Sequence, residues 1–489
     1  MARLSAPGQR QLVVVGAGAA GLYTAIRAAR EGARVTLISA TELAESSSYW
    51  AQGGLAAAIG EGDSAAAHLA DTLAAGRGLV RTSAARVLTV EAPAAVDDLA
   101  ALGVSFDLDE SGRYALGLEG GHGMRRIVHA GGAATGRRIV RQLSAVAAED
   151  DRIEVLEGRR VISLLINDGR CTGVVLDGGE TLHAPATTLA TGGAAALWSR
   201  TTNPSGATGG GLLLAYSAGA ALADIEFLQF HPTAVVADGR SDGLLVTEAI
   251  RGEGAKLLGG DGERFVEELA PRDEVARAIF EELVRSGRTS VDLDMREVDL
   301  TLFPNVVEAL RKAGIDPALR PVPVAPAAHY MMGGIATDLQ ARSSVPGLLA
   351  VGESSCTGLH GANRLASNSL SECFVFGARA ARAALDEPAL LPADLEASTP
   401  AGSGSPPALT AASREALWRY AGLRREGDGL RMLESDPHPI VRLIGAAALK
   451  REESRGGHWR SDFPRTDPEL DNRHVTLVTD QESIFQRWA

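Results

Sequence analysis

Gly16-Ala17-Gly18-Ala19-Ala20-Gly21 places glycines at the spacing GxGxxG, directly after the apolar run 11–16 (QLVVVG) and before a helix-forming stretch at 19–31. Missing side chains there permit a tight turn and let a pyrophosphate approach a helix N-terminus, whose unpaired N–H groups favour an anion. The plain alternative is a tight strand-to-helix joint, but a second β-rich run at 34–39 (RVTLIS) completes a βαβ unit and favours dinucleotide binding. That run ends in Ser39-Ala40, where an acid would hold an adenosine ribose. The ribose contact is therefore weaker or made elsewhere, and NAD loses support without the choice between NAD and FAD being decided.

A second group of reactive types gathers further on. Phe230-His231-Pro232-Thr233 and Thr247-Glu248-Ala249-Ile250-Arg251 bring imidazole, hydroxyl, carboxylate and guanidinium groups close in sequence. Arg272 follows in LAPRD, His329 in PAAHYMMGG and Arg364 in HGANRLASNSL. Each alone is more often an ion pair or a capped helix end. As a set in an acidic chain they can form the cationic pocket a dicarboxylate requires, because arginine grips carboxylates through paired hydrogen bonds. Residues 46–54 (SSSYWAQGG) offer hydroxyls and an amide beside glycines, which read as a solvated loop unless a ligand faces them.

The elements that must position these groups fit a chain of 489 residues, long enough for two to four domains of ~100–200 residues each. Forty-eight basic against 61 acidic residues leave −13, which disfavours a nucleic-acid binder. Cys171, Cys356 and Cys373 lie far apart, without the pairing of a disulfide framework or metal ribbon, so no metal is expected and a reducing cytoplasm fits. No run reaches the ~20 apolar residues of a spanning helix, so no membrane is expected. Glycines also interrupt 12–26, weakening a signal-peptide reading.

Short β-type runs across 153–190, separated by Asp-Gly and Gly-Gly, predict an antiparallel meander returning to the main sheet. Residues 347–353 (GLLAVGE) resemble another buried strand, so the first domain resumes there. The expected class is α/β: a discontinuous Rossmann-like domain over 1–224 and 331–390 and an inserted α+β capping domain over 225–330. A linker at 391–408, rich in Pro, Ser, Ala and Gly, then leads to a C-terminal helical domain over 409–489.

The chain resembles the L-aspartate oxidases, flavoproteins of the succinate dehydrogenase and fumarate reductase superfamily. GAGAAG, YWAQGG, EGGHG, HAGGAATGR, ATGG, TTNP, QFHPTA, TEAIRGEGA, LAPRDEVARAI, PAAHYMMGG, GLLAVGE and GLHGANRLASNSLSE carry the likeness from about 11 to 386, and KREESRGGHWRSDFP resumes it. The resemblance implies FAD, with its pyrophosphate at Gly16, Gly18, Ala19, Ala20 and Gly21. Ser39, Ser47, Ser48, Gln52, Gly53, Gly54, Thr191, Gly192, Gly193, Glu353, Ser369 and Leu370 would line the rest. Ser47 occupies the place of the histidine that holds FAD covalently in dehydrogenases, implying non-covalent FAD. Glu119 in LEGGHG stands where dicarboxylate dehydrogenases carry Phe, and matches the glutamate held to recognise the aspartate amino group.

The implied reaction is L-aspartate to iminoaspartate by hydride transfer from Cα, with oxygen (giving hydrogen peroxide) or fumarate (giving succinate) as acceptor. It opens NAD biosynthesis through quinolinate, with transient contact to quinolinate synthase as an expectation. His231, Thr247, His329 and Arg364 would hold the carboxylates, Glu248 and Arg251 would stand beside them, and Arg272 matches the superfamily acid/base. A soluble fumarate reductase or succinate dehydrogenase flavoprotein is the alternative enzyme, and a non-catalytic flavin-binding subunit the alternative of another class. Two departures from the family pattern, Ala40 for lysine and Gly210 for aspartate, imply a weaker flavin site.

Overall fold

The run QLVVV becomes Gln11–Val15, the central strand of a five-stranded parallel sheet, in the computed structural model, which describes residues 10–42, 46–239, 242–402 and 407–488. Arg34–Ile38 and Ala186–Leu189 flank it, with Ile153–Leu156 and Leu348–Ala350 at the edges. A parallel strand covered on both faces needs apolar residues at nearly every position. Alternate residues feed separate cores: Leu12 and Val14 pack into one cluster, Val13 and Val15 into the other.

Helix Ala19–Arg30 covers the first face and packs on Asn368–Leu385, which arrives from far along the chain. Tyr23 meets Phe374 edge-on at 5.2 Å, and a Cβ at Gly377 would sit 3.1 Å from Thr24 Oγ1, so glycine permits the close approach. The strand Leu348–Ala350 and this late helix complete the sheet begun at residue 11, which gives the expected discontinuous fold. Between them lies an antiparallel sheet of Leu228–Val235, Val322–Met331, Val291–Asp294 and Lys256–Leu258. Helices Arg272–Ser286 and Pro304–Lys312 pack on it around a core of their own that includes Val235, Ile250, Leu257, Val275 and Leu310.

The meander read from the Asp-Gly and Gly-Gly turns forms as Val161–Asn167, Arg170–Leu176 and Thr181–His183, and the chain then rejoins the parallel sheet. Composition misled over 391–408. Pro392–Ala397 is a helix, with Asp394 accepting from the Leu391 N–H at 2.7 Å, and Thr399–Pro400 pairs with Leu165 and Ile166. Edge pairing to a distant strand leaves no mark on local composition; residues 403–406 of this stretch lie outside the described residues. Three helices, Ala411–Tyr420, Gly427–Met432 and Pro439–Lys450, follow as expected. Two strands not expected, Arg473–Leu477 and Ile484–Arg487, then extend a sheet through Leu222–Ala223.

Candidate functional site

The glycine motif makes the joint its spacing implies. Gly16 has φ +108°, its N–H donates to Ile38 O at 2.7 Å, and any Cβ there would run into the Ala190 carbonyl. Gly21 packs just as closely on the Gly16 carbonyl. Gly18 is the N-cap of Ala19–Arg30; its first turn holds no acid and no side chain of its own caps it, while Ser48 Oγ accepts from Ala19 N at 3.2 Å. This N-terminus thus offers N–H groups and a hydroxyl to an anion.

The remaining candidates converge on the same end of the parallel sheet. Ser39 is buried at the tip of the second strand, its N–H donating to Leu156 O at 2.9 Å. Ser47 Oγ donates to Asn203 Oδ1 at 3.3 Å, and Gln52 Nε2 to Leu245 O at 2.9 Å. Gln52 Oε1 is buried without a partner, and Gly192 has open space where a Cβ would stand. Gly53 lies beside Glu119 and Ser367, whereas a Cβ at Gly54 would strike the Val128 carbonyl. Thr191 Oγ1 lies 3.3 Å from Ser354 Oγ, and Gly193 touches Glu353. Glu353 accepts from Met331 N at 3.0 Å, and burial pushes its carboxyl up to about 7. Ser369 and Leu370 open helix Asn368–Leu385, with Ser369 Oγ taking a bond from Arg364. A turn closed to side chains, an open helix N-terminus and an orphaned buried amide oxygen fit an extended dinucleotide along this edge.

The dicarboxylate candidates gather where the antiparallel sheet meets this edge. Glu248 is 1% exposed; its Oε2 accepts from Arg272 Nε at 2.6 Å, its Oε1 from Gly120 N at 2.9 Å, and Arg251 Nη2 lies 3.6 Å away. Burial works to raise this carboxyl, but the charges of Arg272 and Arg251 bring it down to about 2. Arg251 donates to the Glu268 carbonyl and keeps Nε and Nη2 buried without hydrogen-bond partners. Arg272 begins its helix straight after the N-cap Pro271, which aims the side chain back toward Glu248. Arg364 lies 4.2 Å over the Tyr330 ring, and burial with the charge of Arg272 lowers its guanidinium to about 10.

His231 and His329 face each other with ring centroids 5.0 Å apart. His231 Nδ1 accepts from Thr233 N at 3.3 Å, so the neutral ring carries its proton on Nε2 and can donate there. Burial and the surrounding guanidiniums hold both imidazoles well below the usual 6.5, favouring neutral donors. His329 Nδ1 pairs with Thr202 Oγ1 at 2.8 Å. Thr247 is buried one residue from Glu248, on a segment tied to the His231 strand by the Val246 N to Thr233 O bond of 3.0 Å. Glu119 is 2% exposed and accepts from Ser367 Oγ at 2.6 Å.

The structure therefore brings all eight proposed dicarboxylate residues into one buried neighbourhood. Reading the sequence missed Ser367, Thr202 and Gln229. Gln229 carried a signal: it stands two residues before His231 on a strand, the spacing that shares a face. Among the described residues no group of His, Cys, Asp and Glu could hold a metal, and no helix is long and apolar enough to cross a membrane.

A family model described as an FAD binding domain matches residues 11–370, and one described as the fumarate reductase flavoprotein C-terminus matches 439–486. The L-aspartate oxidase of Caulobacter vibrioides is 46% identical, over 95% of this chain and 96% of its own length. That of Agrobacterium fabrum is 45% identical, over 95% and 93%. Among solved structures, E. coli quinol fumarate reductase superposes with a TM-score of 0.87 at 27% identity, over 98% of this chain and 96% of that one.

Proposed function

The chain belongs to the L-aspartate oxidase family, and from that premise we propose that its buried arginines and Glu119 together form an aspartate-reading active site. The protein is an FAD-dependent oxidoreductase that converts L-aspartate to iminoaspartate, the first step of NAD biosynthesis, with a fumarate-type acceptor. When bound, FAD would supply the acceptor for the hydride that leaves substrate Cα. Gly16, Gly18 and the Ala19–Gly21 turn would hold its pyrophosphate. Ser39, Ser47, Ser48, Gln52–Gly54, Thr191–Gly193, Glu353, Ser369 and Leu370 would hold the remainder without a covalent bond, since Ser47 offers no imidazole.

Arg364 and the neutral donors His231 and His329 bind the two carboxylates, with Thr247 adding a hydroxyl. Glu119 draws the ammonium, which fixes which face of Cα is presented. Arg272, held by Glu248 on Nε, stands ready to give a proton to carbon when fumarate is reduced. Glu248 lies between Arg272, with which it hydrogen-bonds at 2.6 Å, and Arg251, whose Nη2 stands 3.6 Å from its other oxygen as an ion pair. A guanidinium is a poor general base, so in amine oxidation Arg272 acts as an electrostatic and positioning group. The observation that carries this reading is a carboxylate 2% exposed among buried guanidiniums, because a site for dicarboxylates alone has no use for it.

Oxygen as a second acceptor, passing contact with quinolinate synthase and a cytoplasmic setting, which suits three buried free cysteines, belong to the same proposal. The holoenzyme supplied with L-aspartate and fumarate under argon should form succinate and ammonia in equal amounts, the ammonia coming from hydrolysis of iminoaspartate. Ammonia without succinate would remove fumarate as acceptor; neither product would overturn the reading.

A further inference from the structure

Gln229 is 1% exposed and sits between the two guanidiniums nearest the proposed chemistry. Its single amide oxygen accepts from Arg272 Nη1 at 3.1 Å, from Arg364 Nη2 at 2.9 Å and from Arg364 Nε at 3.2 Å. We propose that Gln229 is a positioning and specificity residue: a neutral acceptor that holds two like-charged arginines together without cancelling either charge. The inference rests on the aspartate-oxidising reading given above.

The orientation of the amide follows from its partners. Gln229 Nε2 donates to Asn363 Oδ1 at 3.1 Å and to the Arg364 carbonyl at 2.8 Å, and neither acceptor could serve the amide oxygen. Asn363 is fixed in turn, because its Nδ2 donates to Ala75 O at 3.1 Å. The oxygen of Gln229 can therefore face only the arginines. Behind it, the C-terminal RGGHWR motif closes the space. Gly457 N donates to Ala362 O at 2.8 Å, and a Cβ at Gly457 would come within 2.5 Å of the Leu228 carbonyl. The motif thus braces the residue before Gln229 and the loop that carries Asn363 and Arg364.

Charge explains why an amide is needed. Two guanidiniums this close repel each other, and a shared acceptor offsets the repulsion locally. Glu248 already pairs with Arg272 and lies beside Arg251. A second buried carboxylate at position 229 would hold the arginines in place but drain the positive potential that draws a dianion. An apolar residue would keep the potential and lose the alignment, leaving buried N–H groups without acceptors.

The two substitutions separate these roles. In FAD-loaded protein, Gln229→Glu should weaken succinate, a dianion, at least about tenfold more than aspartate, whose ammonium leaves one net negative charge. Succinate affinity is read from its perturbation of the flavin spectrum, and aspartate from the half-saturating concentration for anaerobic flavin bleaching. Gln229→Leu should weaken both by similar factors, also of about tenfold or more. The FAD dissociation constant should stay within about twofold in each, showing that the fold persists. Gln229→Glu weakening both ligands equally, or either variant binding both like the parent, would overturn the proposal. Failure of the parent protein itself to be bleached by aspartate would instead overturn the functional reading on which it rests.

Discussion

The proposed cofactor cradle and the proposed dicarboxylate pocket adjoin, yet they are built from different material. The cradle is mostly backbone: Gly16 at φ +108° against the Ala190 carbonyl, a helix beginning at Ala19 with no side-chain cap from its own N-cap residue, and loop glycines at 53, 54 and 192. The pocket is charged side chain, with Arg251, Arg272, Arg364, Glu119 and Glu248 all buried. Backbone can approach a ligand only where side chains are missing, so the cradle fails by steric intrusion. Buried charges persist only in company, so the pocket fails when a partner is removed.

Breaking the cradle gives the largest expected effect. Gly16→Ala places a methyl against the Ala190 carbonyl in a left-handed conformation, and the purified protein should carry no detectable FAD by absorbance. Breaking the pocket should spare the cradle. Arg364→Ala should weaken succinate by at least about a hundredfold, the scale of breaking a buried charge network, while FAD content stays near one per chain. Coincident loss of FAD would erase the distinction between the two regions.

Two smaller changes sharpen it. Glu119→Gln should lower aspartate oxidation about 10- to 100-fold, the worth of a hydrogen bond to a charged group, and leave fumarate reduction within about threefold. Equal losses in both assays would deny Glu119 its role in reading the ammonium. Gly210 has open space around it at the start of a short helix, so Gly210→Asp should fit without strain. An added acceptor should tighten FAD about three- to tenfold by fluorescence titration, with succinate affinity unchanged.

The same contrast decides how much could be read in the sequence. Gly16–Gly21 is legible because the turn, the strand before it and the helix after it are local, and the steric demand falls on adjacent residues. His231, Glu248, Arg272 and Arg364 could be grouped by their chemistry as a cationic pocket, but only the family resemblance gave each a role. Their contacts are long-range: the Gln229–Arg364 bonds span 135 residues and the Ser367–Glu119 bond 248. Gln229 escaped notice because a neutral amide is unremarkable until two arginines are found sharing its oxygen. The strands after 472 escaped for the related reason that pairing partners near 222 lie half a chain away. The segment at 392–400 was obscured by composition, since Pro and Ala suit both a spacer and a helix start followed by an edge strand.

The most direct test mixes the FAD-loaded protein with L-aspartate or with succinate in the absence of oxygen and follows the flavin absorbance by stopped flow. Bleaching by aspartate and not by succinate is the predicted result, because Glu119 in its proposed role rewards an ammonium that succinate lacks. Bleaching by succinate alone would contradict the account and leave a buried carboxylate in the pocket without a purpose.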